Sequence, residues 1–320
     1  MNQLELLRKY TKIVADSGNI NEIIRYHPTD ATTNPSLILR VAILEKYQPL
    51  LKDAILYAQH LGGNKNIQLV NASDKFLINI GVEILKYIPG KVSTEIDARL
   101  SFNRFDCIAK ARKLVHLYQD RGIPKSRILI KLASTWEGIE AAKQLETEGI
   151  HCNMTLLFSY IQAKACADAG AYLISPFVGR ISDWYQKHTI NYLKYDVTQD
   201  PGVNFVRNIY NFYKKNSYKT IVMGASFRNI LQITALTGCD ALTISPQFLE
   251  MLENLTVPLE RNLQPGCTKI KYPRFAPKIT ESFFRCQYNQ DIMAVEKLSE
   301  GIRKFSHDHH KLEQLLLDYF

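Results

Sequence analysis

The sequence predicts an α/β protein folded as a single (β/α)8 TIM barrel, with additional helices and a C-terminal helix that packs over the barrel. Short apolar, β-branched segments alternate with longer segments whose apolar residues recur every 3.6 positions, and this alternation repeats eight times. Such repetition predicts parallel strands joined by crossover helices. The length of 320 residues suits this fold, because barrels of about 250 residues commonly form one domain. A doubly wound open sheet is the alternative arrangement of the same elements.

Eight segments have the length and composition of strands, and the second is included because its neighbours leave a place for it. They are residues 11–16, 30–33, 91–97, 128–133, 149–156, 171–176, 220–225 and 241–245. Amphipathic helices are predicted between them at 73–88, 105–122, 135–149, 158–170 and 227–238. Glycines commonly end helices, and those placed to do so are Gly90, Gly122, Gly149, Gly170 and Gly238. We expect one domain over residues 1–320, closed by a helix over roughly 291–320.

Composition indicates a soluble globular protein with anionic partners. Hydrophobic residues make up 46% of the chain and charged residues 22%, which excludes a globally disordered or fibrous protein. Lysine and arginine number 40 against 31 acidic residues, which gives a formal net charge of +9. That excess favours nucleic acid, anionic lipid or phosphorylated metabolites as partners, without choosing among them.

Several features argue against membranes and secretion. No apolar run approaches the ~20 residues that span a bilayer, and the first 16 residues lack the apolar core of a signal peptide. The six cysteines are unclustered, with no C-x-x-C pair, and we interpret them as reduced thiols. We therefore expect a cytoplasmic protein without a membrane partner.

Two further stretches and several missing motifs bear on ligands. The chain lacks G-x-G-x-x-G, Walker A, G-x-S-x-G and H-E-x-x-H motifs. The sequence therefore gives no support for a nucleotide cofactor, a serine hydrolase or a zinc hydrolase. HDHH at 307–310 has no acid or histidine at a convincing ligand spacing, which favours a solvated helix face over a metal site. KIKYPRF at 269–275 belongs to a proline-rich, basic segment, 257–280, which we interpret as a surface loop rather than an RNA contact. We expect no metal site.

Polar residues late in a strand are the candidates for chemistry, because barrel enzymes carry their active sites at the carboxyl ends of the strands. Lys131 is the one lysine inside an apolar strand, ILIKLA, where it shares a face with Leu129 and Ala133. Burial favours the neutral amine of a lysine, which is the nucleophile that a Schiff base requires. A lysine buried in a salt bridge explains the same placement equally well.

Five of the predicted strands end with this lysine, with acids or with amides and hydroxyls. These polar residues are Asp16, Asn34, Glu95, Asp97, Asn153, Thr155 and Ser175. Each one alone is more readily explained as a helix N-cap or a turn residue. Together they provide what carbonyl chemistry on a polyhydroxylated substrate needs, because acids transfer protons and amides fix hydroxyl groups.

Two loops are candidates for binding phosphate. SPFVGR places Arg180 after the sixth strand, and GASFR places Ser226 and Arg228 at the start of the helix after the seventh. A helix N-terminus presents free N–H groups, and an arginine adds a planar charged fork for phosphate oxygens. The alternatives are a salt bridge between Arg180 and Asp183 and a plain N-cap at Ser226.

Six segments closely resemble the transaldolase family. They are DATTNPSLIL (30–39), VSTEIDARLS (92–101), RILIKLASTWEGI (127–139), CNMTLLFS (152–159), LISPFVGRISDWY (173–185) and VMGASFRNI (222–230). The resemblance runs from end to end, includes the closing NQDIMAVEKLSEGIRKF (289–305), and points to the longer, dimeric bacterial and eukaryotic type. It implies a Schiff-base enzyme that needs no bound cofactor, acts on sugar phosphates and forms a homodimer, with no nucleic-acid or membrane partner.

The resemblance also implies roles for individual residues. By it, Lys131 forms the Schiff base, and Asp16 takes the C4 hydroxyl proton during carbon–carbon cleavage. Glu95 and Thr155 would hold a catalytic water that relays protons. The other implied contacts are Asn34, Asn153 and Ser175 to the dihydroxyacetone portion, Thr32 and Phe177 elsewhere on the substrate, and Arg180, Ser226 and Arg228 to the phosphate.

The implied reaction moves a dihydroxyacetone unit from sedoheptulose 7-phosphate to glyceraldehyde 3-phosphate, giving erythrose 4-phosphate and fructose 6-phosphate, in the non-oxidative pentose phosphate pathway. Phe177 fits such a transferase of aldehyde and ketone residues, because a related aldolase group that favours free cleavage carries tyrosine there. Two alternatives stay open. One is a class I aldolase of the fructose 6-phosphate type, releasing free dihydroxyacetone, and the other is a basic RNA-binding protein suggested by the charge alone.

Overall fold

Eight parallel strands form one sheet in this computed structural model, which describes residues 1–189, 196–265 and 279–320. The strands are β1 (Lys12–Asp16), β2 (Asp30–Thr32), β3 (Val92–Glu95), β4 (Ile128–Ala133), β5 (Cys152–Leu157), β6 (Leu173–Pro176), β7 (Ile221–Gly224) and β8 (Ala241–Ile244). They pair in chain order, and β1 also pairs with β8, so the sheet closes into a barrel. The closed sheet confirms the predicted (β/α)8 barrel and rules out the open sheet.

Fourteen α-helices surround the strands in the described part of the chain. They are α1 (Gln3–Arg8), α2 (Ile20–Tyr26), α3 (Pro35–Ala42), α4 (Gln48–Leu61), α5 (Lys65–Leu85), α6 (Arg104–Gln119), α7 (Trp136–Thr147), α8 (Tyr160–Asp168), α9 (Val178–His188), α10 (Pro201–Lys215), α11 (Ile230–Thr234), α12 (Pro246–Asn254), α13 (Glu281–Asn289) and α14 (Ile292–Leu317). The predicted helices match α5, α6, α7, α8, α11 and α14. Helix α11 begins three residues later than predicted. The side chain of Asn229 accepts a hydrogen bond from the N–H of Gln232 and so caps the helix at that position.

Burial explains why the strands can be recognised in the sequence. Every residue of β4 and β5 is buried, since one face points into the barrel and the other packs on helices. Inside the barrel an apolar layer is formed by Val14, Leu129, Leu173, Met223 and Ala241. Lys131 follows Leu129 by two residues, so it lies on the same face of β4 and one step closer to the carboxyl ends.

Helix α14 packs over the carboxyl ends of the strands, as the sequence predicts. A buried apolar cluster joins them, and it includes Leu156, Phe158, Phe177, Ala225, Met293, Leu298, Ile302 and Phe305. A polar clamp adds to it, because Arg99 donates hydrogen bonds to Asp97 at 2.6 Å and to Glu313 of α14 at 2.5 Å. The helix is therefore fixed at two places across the mouth of the barrel.

Four of the five glycines predicted to end helices have the left-handed backbone that favours glycine. Gly122, Gly149, Gly170 and Gly238 have φ angles from 71° to 98°. Gly90 does not have this backbone conformation. A close contact with a neighbouring segment explains the glycine at this position instead. A Cβ there would lie 2.6 Å from the backbone oxygen of Thr29.

Part of the predicted loop 257–280 falls outside the described residues. Residues 266–278, which contain KIKYPRF and Cys267, are not described, so the choice between a loop and an RNA contact stays a prediction. The other five cysteines are free thiols. None of the described helices combines the length and the apolar character that crossing a membrane requires.

Candidate active site

A cavity of about 580 Å³ opens at the carboxyl ends of the strands, beneath α14. Nine of the residues that the sequence singled out line it: Asp16, Thr32, Asn34, Lys131, Ser175, Phe177, Arg180, Ser226 and Arg228. Three others, Glu95, Asn153 and Thr155, are buried around it rather than lining it. The structure therefore brings the predicted site residues together from seven strands and the segments that follow them.

Lys131 is buried at the floor of this cavity, with 5% of its surface exposed. Its Nζ lies 3.1 Å from Oε2 of Glu95, because Lys131 and Glu95 are neighbours in the register of β3 and β4. It also donates a hydrogen bond to the backbone oxygen of Thr33 at 3.2 Å. The buried salt bridge foreseen as an alternative is thus present. Lys131 also lines the cavity, and its role as a nucleophile stays a prediction.

Glu95 contacts that amine, and Thr155 lies on β5, opposite Ala133 of β4. Burial raises the pKa of Glu95, and the charge of Lys131 opposes the rise. The hydroxyl Oγ1 of Thr155 is buried and has no hydrogen-bond partner within the described residues. A buried hydroxyl left in this way favours binding of a further hydrogen-bonding group, such as water or substrate.

Asp16 lies at the end of β1, on the cavity wall. The hydroxyl of Thr32 donates to its Oδ1 at 3.1 Å, and that hydroxyl also contacts Thr243 at 2.7 Å. Burial raises the pKa of Asp16, although Lys131 opposes the rise. A carboxyl group with a raised pKa can take up and release a proton closer to neutral pH, which suits an acid–base role.

The amides and hydroxyls divide between substrate-facing and supporting positions. Ser175 donates to Oδ1 of Asn153 at 2.6 Å, and Nδ2 of Asn153 donates to Ser93 at 3.1 Å, so the amide is held in one orientation. Asn34 lines the cavity and also caps α3, where it accepts from the N–H of Leu37 at 3.0 Å. The N-cap alternative is therefore correct for Asn34.

The two proposed phosphate loops meet, but not through the predicted contacts. Ser226 is not an N-cap: it lies three residues before the cap of α11 and has a left-handed backbone with φ of 62°. Arg228, rather than Arg180, forms the ion pair with Asp183, with hydrogen bonds of 2.7 to 3.1 Å. Nη1 of Arg228 also donates to the hydroxyl of Ser226 at 3.3 Å.

Gly179 brings the two loops into contact. Its N–H donates to the backbone oxygen of Ser226 at 2.7 Å, next to the bond between Val178 and Ala225 at 2.9 Å. A Cβ on Gly179 would lie 2.3 Å from the same oxygen, so no other residue fits without displacing the Ser226 loop. This close contact sets Arg180 and Arg228 side by side on the cavity wall.

Arg180 lies between two aromatic rings. Its Cζ is 4.9 Å from the ring centre of Phe177 and 5.5 Å from that of Phe305. Burial lowers the pKa of Arg180, and the charge of Arg228 adds to the decrease. No hydrogen bond or ion pair links its guanidinium to any described residue, so its donors are available to an anionic ligand.

Four contributors to the site carry no clear signal in the sequence. Ser93 lies two residues before Glu95 on the same face of β3, so strand parity alone could have indicated it. Thr243 could have been found in the same way on β8. Thr33 contributes through its backbone oxygen, and Phe305 contacts the site from α14. Neither contribution could be predicted from the sequence pattern.

The histidine-rich stretch also needs correction. His309 is four residues from Glu313 on α14, and these two and Asp97 bring ligand atoms within 4.8 Å of one another. An acid therefore does lie at a ligand spacing. Arg99, however, occupies both carboxylates. Asp97 contacts Arg99 and does not point toward Lys131. Strand β3 ends at Glu95, so the alternation of side chains no longer puts Asp97 on the same face as Glu95.

Fold and cavity together define a (β/α)8 barrel whose polar, cation-lined pocket lies where enzymes of this fold carry out their chemistry. Residues 13–316 match the family model described as Transaldolase/Fructose-6-phosphate aldolase. The chain is 58% identical over 316 residues to Transaldolase 1 of Pectobacterium atrosepticum and to Transaldolase A of Escherichia coli strain K12. It is 59% identical over 317 residues to the transaldolase of Sodalis glossinidius, and each comparison covers 99% of both chains.

The chain belongs to the transaldolase/fructose-6-phosphate aldolase family. These full-length similarities support a transaldolase, that is, a transferase acting on sugar phosphates, and they do not favour the aldolase or RNA-binding alternatives.

Proposed function

We propose that this chain transfers a three-carbon dihydroxyacetone unit from a ketose phosphate to an aldose phosphate through an imine on Lys131. The observation that carries the proposal is the position of this lysine. Its amine is buried beside Glu95, yet it faces the cavity, with Asp16 on the wall of that cavity. A nucleophile, two acids with raised pKa values and an anion-binding wall are the groups that the reaction needs.

In the first step the amine of Lys131 attacks the C2 carbonyl of sedoheptulose 7-phosphate. The carbinolamine then loses its hydroxyl as water, and the imine nitrogen keeps one proton. Glu95 is proposed to accept and return the protons of this exchange, and its contact with Nζ at 3.1 Å supports that role. The unpartnered hydroxyl of Thr155 supports a water bound beside Glu95.

In the second step Asp16 takes the proton of the C4 hydroxyl, and the bond between C3 and C4 breaks. Its electron pair moves into the protonated imine, leaving an enamine on Lys131, and erythrose 4-phosphate departs as an aldehyde. The enamine then attacks the carbonyl carbon of glyceraldehyde 3-phosphate, and Asp16 returns its proton to the new hydroxyl. Hydrolysis of the imine releases fructose 6-phosphate and restores the amine.

Substrate recognition is assigned to the remaining residues. Asn153, held by Ser175 and Ser93, and Asn34 are proposed to bind the hydroxyl groups of the dihydroxyacetone portion. Thr32, through its bond to Asp16, and Phe177 are proposed to complete the sugar pocket. Arg180, Ser226 and Arg228 are proposed to bind phosphate. The cytoplasmic location, the homodimer, the single domain over residues 1–320 and the absence of a nucleic-acid partner stay predictions.

The decisive experiment is borohydride reduction in the presence of fructose 6-phosphate, followed by peptide mass mapping. The expected result is a stable adduct on Lys131, and a label on another lysine would contradict the proposal. Product analysis with and without glyceraldehyde 3-phosphate separates transfer from free cleavage. Release of dihydroxyacetone at the same rate without acceptor would indicate an aldolase.

A further inference from the structure

We infer that Arg40 and Lys304 form an outer cationic subsite that completes the binding of the substrate's phosphate group beside Arg180 and Arg228. The inference rests on the proposed function for its ligand, the dianion of a phosphate monoester. Both residues line the same cavity as Lys131, and neither belongs to the loops that the sequence indicated.

The first argument is the charge balance of the two phosphate loops. Asp183 accepts three hydrogen bonds from Arg228, so this pair is neutral as a unit. Among the described residues of the two loops, Arg180 then supplies the one net positive charge that is available to a ligand. A phosphate monoester carries about −1.5 to −2 charges at pH 7. Its binding therefore requires roughly one more positive charge from outside these loops.

The second argument is the position of Lys304. The next residue on α14, Phe305, places its ring 5.5 Å from Cζ of Arg180. Gly301, about one turn earlier, is also close, because a Cβ there would lie 3.2 Å from Nη1 of Arg180. Lys304 thus belongs to the turn of α14 that covers Arg180. Its ammonium is exposed and has no carboxylate partner among residues 1–189, 196–265 and 279–320.

The third argument is the position of Arg40, which reaches the cavity from α3. The hydroxyl of Ser36 donates a hydrogen bond to Asp308 and joins α3 to α14. Arg40 follows Ser36 by four residues, and Lys304 precedes Asp308 by four. Each cation therefore lies about one helical turn, roughly 5.4 Å of rise, from the same junction between the helices.

The charge of Arg40 acts inside the cavity. Burial raises the pKa of Asp16, and Arg40 is among the cations that oppose this rise. Arg40 is exposed and, in the described part of the chain, is not bonded to any acceptor. Two unpaired cations beside a binding wall that lacks one positive charge are what a dianionic ligand would require.

The test compares Lys304→Gln, Arg40→Gln and the double variant with a matched control, Arg303→Gln. Arg303 is the neighbour of Lys304 and loses the same charge, but it faces a separate surface depression with Val295 and Glu296. We expect each variant at the subsite to lower kcat/KM for fructose 6-phosphate about 3- to 10-fold, a modest effect because both groups are exposed. The value for unphosphorylated fructose should stay unchanged in Lys304→Gln, as should both values in Arg303→Gln.

Binding of inorganic phosphate, measured by calorimetry, provides a readout independent of turnover. Phosphate should bind the wild type and Arg303→Gln equally, and Lys304→Gln and the double variant more weakly by a similar 3- to 10-fold. Equal losses for fructose and fructose 6-phosphate, or phosphate affinities unchanged in the double variant, would overturn the inference. If the wild type forms no imine but phosphate binding still depends on Lys304, the proposed function fails while the subsite stands.

Discussion

Asp183 of α9 holds Arg228 of the loop after β7 through both oxygens of its carboxylate, with donor–acceptor distances of 2.7 to 3.1 Å. Two of the five N–H groups of the guanidinium, on Nε and Nη2, make this contact. Nη1 points to the Ser226 hydroxyl instead, at 3.3 Å. The carboxylate thus fixes the plane of the guanidinium, and Nη1 also lies near the backbone oxygens of Ser226 and Phe227.

Arg228→Ala is expected to lower kcat/KM for fructose 6-phosphate by about 10- to 100-fold, because a charged hydrogen bond to phosphate contributes roughly 1.5–3 kcal/mol. Unphosphorylated fructose, a poorer substrate, should change little. Arg228→Lys should recover only part of the loss, since a point charge replaces an oriented fork. Steady-state kinetics with both sugars measure this. Equal proportional losses would mean that Arg228 serves only the structure of the loop.

Lys131→Met is expected to abolish transfer, with a loss of at least ~10⁴-fold, because the covalent route disappears. The variant also leaves Glu95 buried without its cation, and breaking a buried pair costs about 3–5 kcal/mol. Adding Glu95→Gln should recover much of that stability, because the double variant no longer buries a lone charge. Urea unfolding of the three variants tests this. A double variant less stable than both single variants would show that the ion pair itself stabilises the fold.

Asp16→Ala is expected to form the imine but not to cleave the sugar. Imine formation is proposed to depend on Lys131 and Glu95, whereas cleavage needs a base at the C4 hydroxyl, and Asp16 is the carboxylate proposed for this role on the cavity wall. Borohydride trapping with fructose 6-phosphate should therefore capture the six-carbon adduct on the protein. Mass spectrometry distinguishes it from the three-carbon adduct, whose exclusive appearance would remove Asp16 from this role.

The clamp on α14 should depend on pH. Burial would raise the pKa of Asp97, but hydrogen bonds from Arg99 and the charge of His309 outweigh it and lower the pKa. A lowered carboxyl pKa stabilises the fold above the unfolded value, near 3.9, and this stabilisation is lost as pH falls through the folded value. Arg99→Met should therefore cost about 1–2 kcal/mol at pH 7, and progressively less as pH falls below ~4 toward the lowered pKa of Asp97. Thermal unfolding across this range measures the difference, and an equal cost at all pH values would contradict the explanation.

Chelators are expected to leave transfer unchanged. A protonated imine accepts the electron pair that a metal would otherwise stabilise, and Arg99 already occupies the carboxylates of Asp97 and Glu313. Activity before and after dialysis against EDTA tests this. Inhibition that zinc reverses would favour a metal-dependent aldolase instead.

Strands and their order could be predicted because burial on both faces leaves continuous apolar segments, and because parallel strands place their late residues together. Lys131 is recognisable for the same reason, as a charged residue inside such a segment. The contacts of the phosphate loops could not be predicted in this way. Whether Asp183 binds Arg180 or Arg228 depends on the close approach of Gly179 to Ser226, which is a contact between loops rather than a local pattern.

Ser226 illustrates the same limit. Serine is a favoured N-cap residue, but its left-handed backbone at φ of 62° places it in a turn before α11. The contribution of α14 to the site could not be predicted from the sequence for another reason. Its amphipathic pattern predicts a packed helix, yet the pattern does not indicate that Phe305 contacts Arg180 of α9.

The position of α14 in the chain has a consequence for how the protein is made. This helix follows all eight strands, so during synthesis the complete sheet can close before Phe305 has left the ribosome. Until then Arg180 lacks the second of its two aromatic neighbours, Phe305, and the mouth of the barrel is uncovered. A nascent chain in which Lys131 and Glu95 are already in position would therefore still lack the helix that covers its cavity. We expect the ability to bind a sugar phosphate to be acquired last.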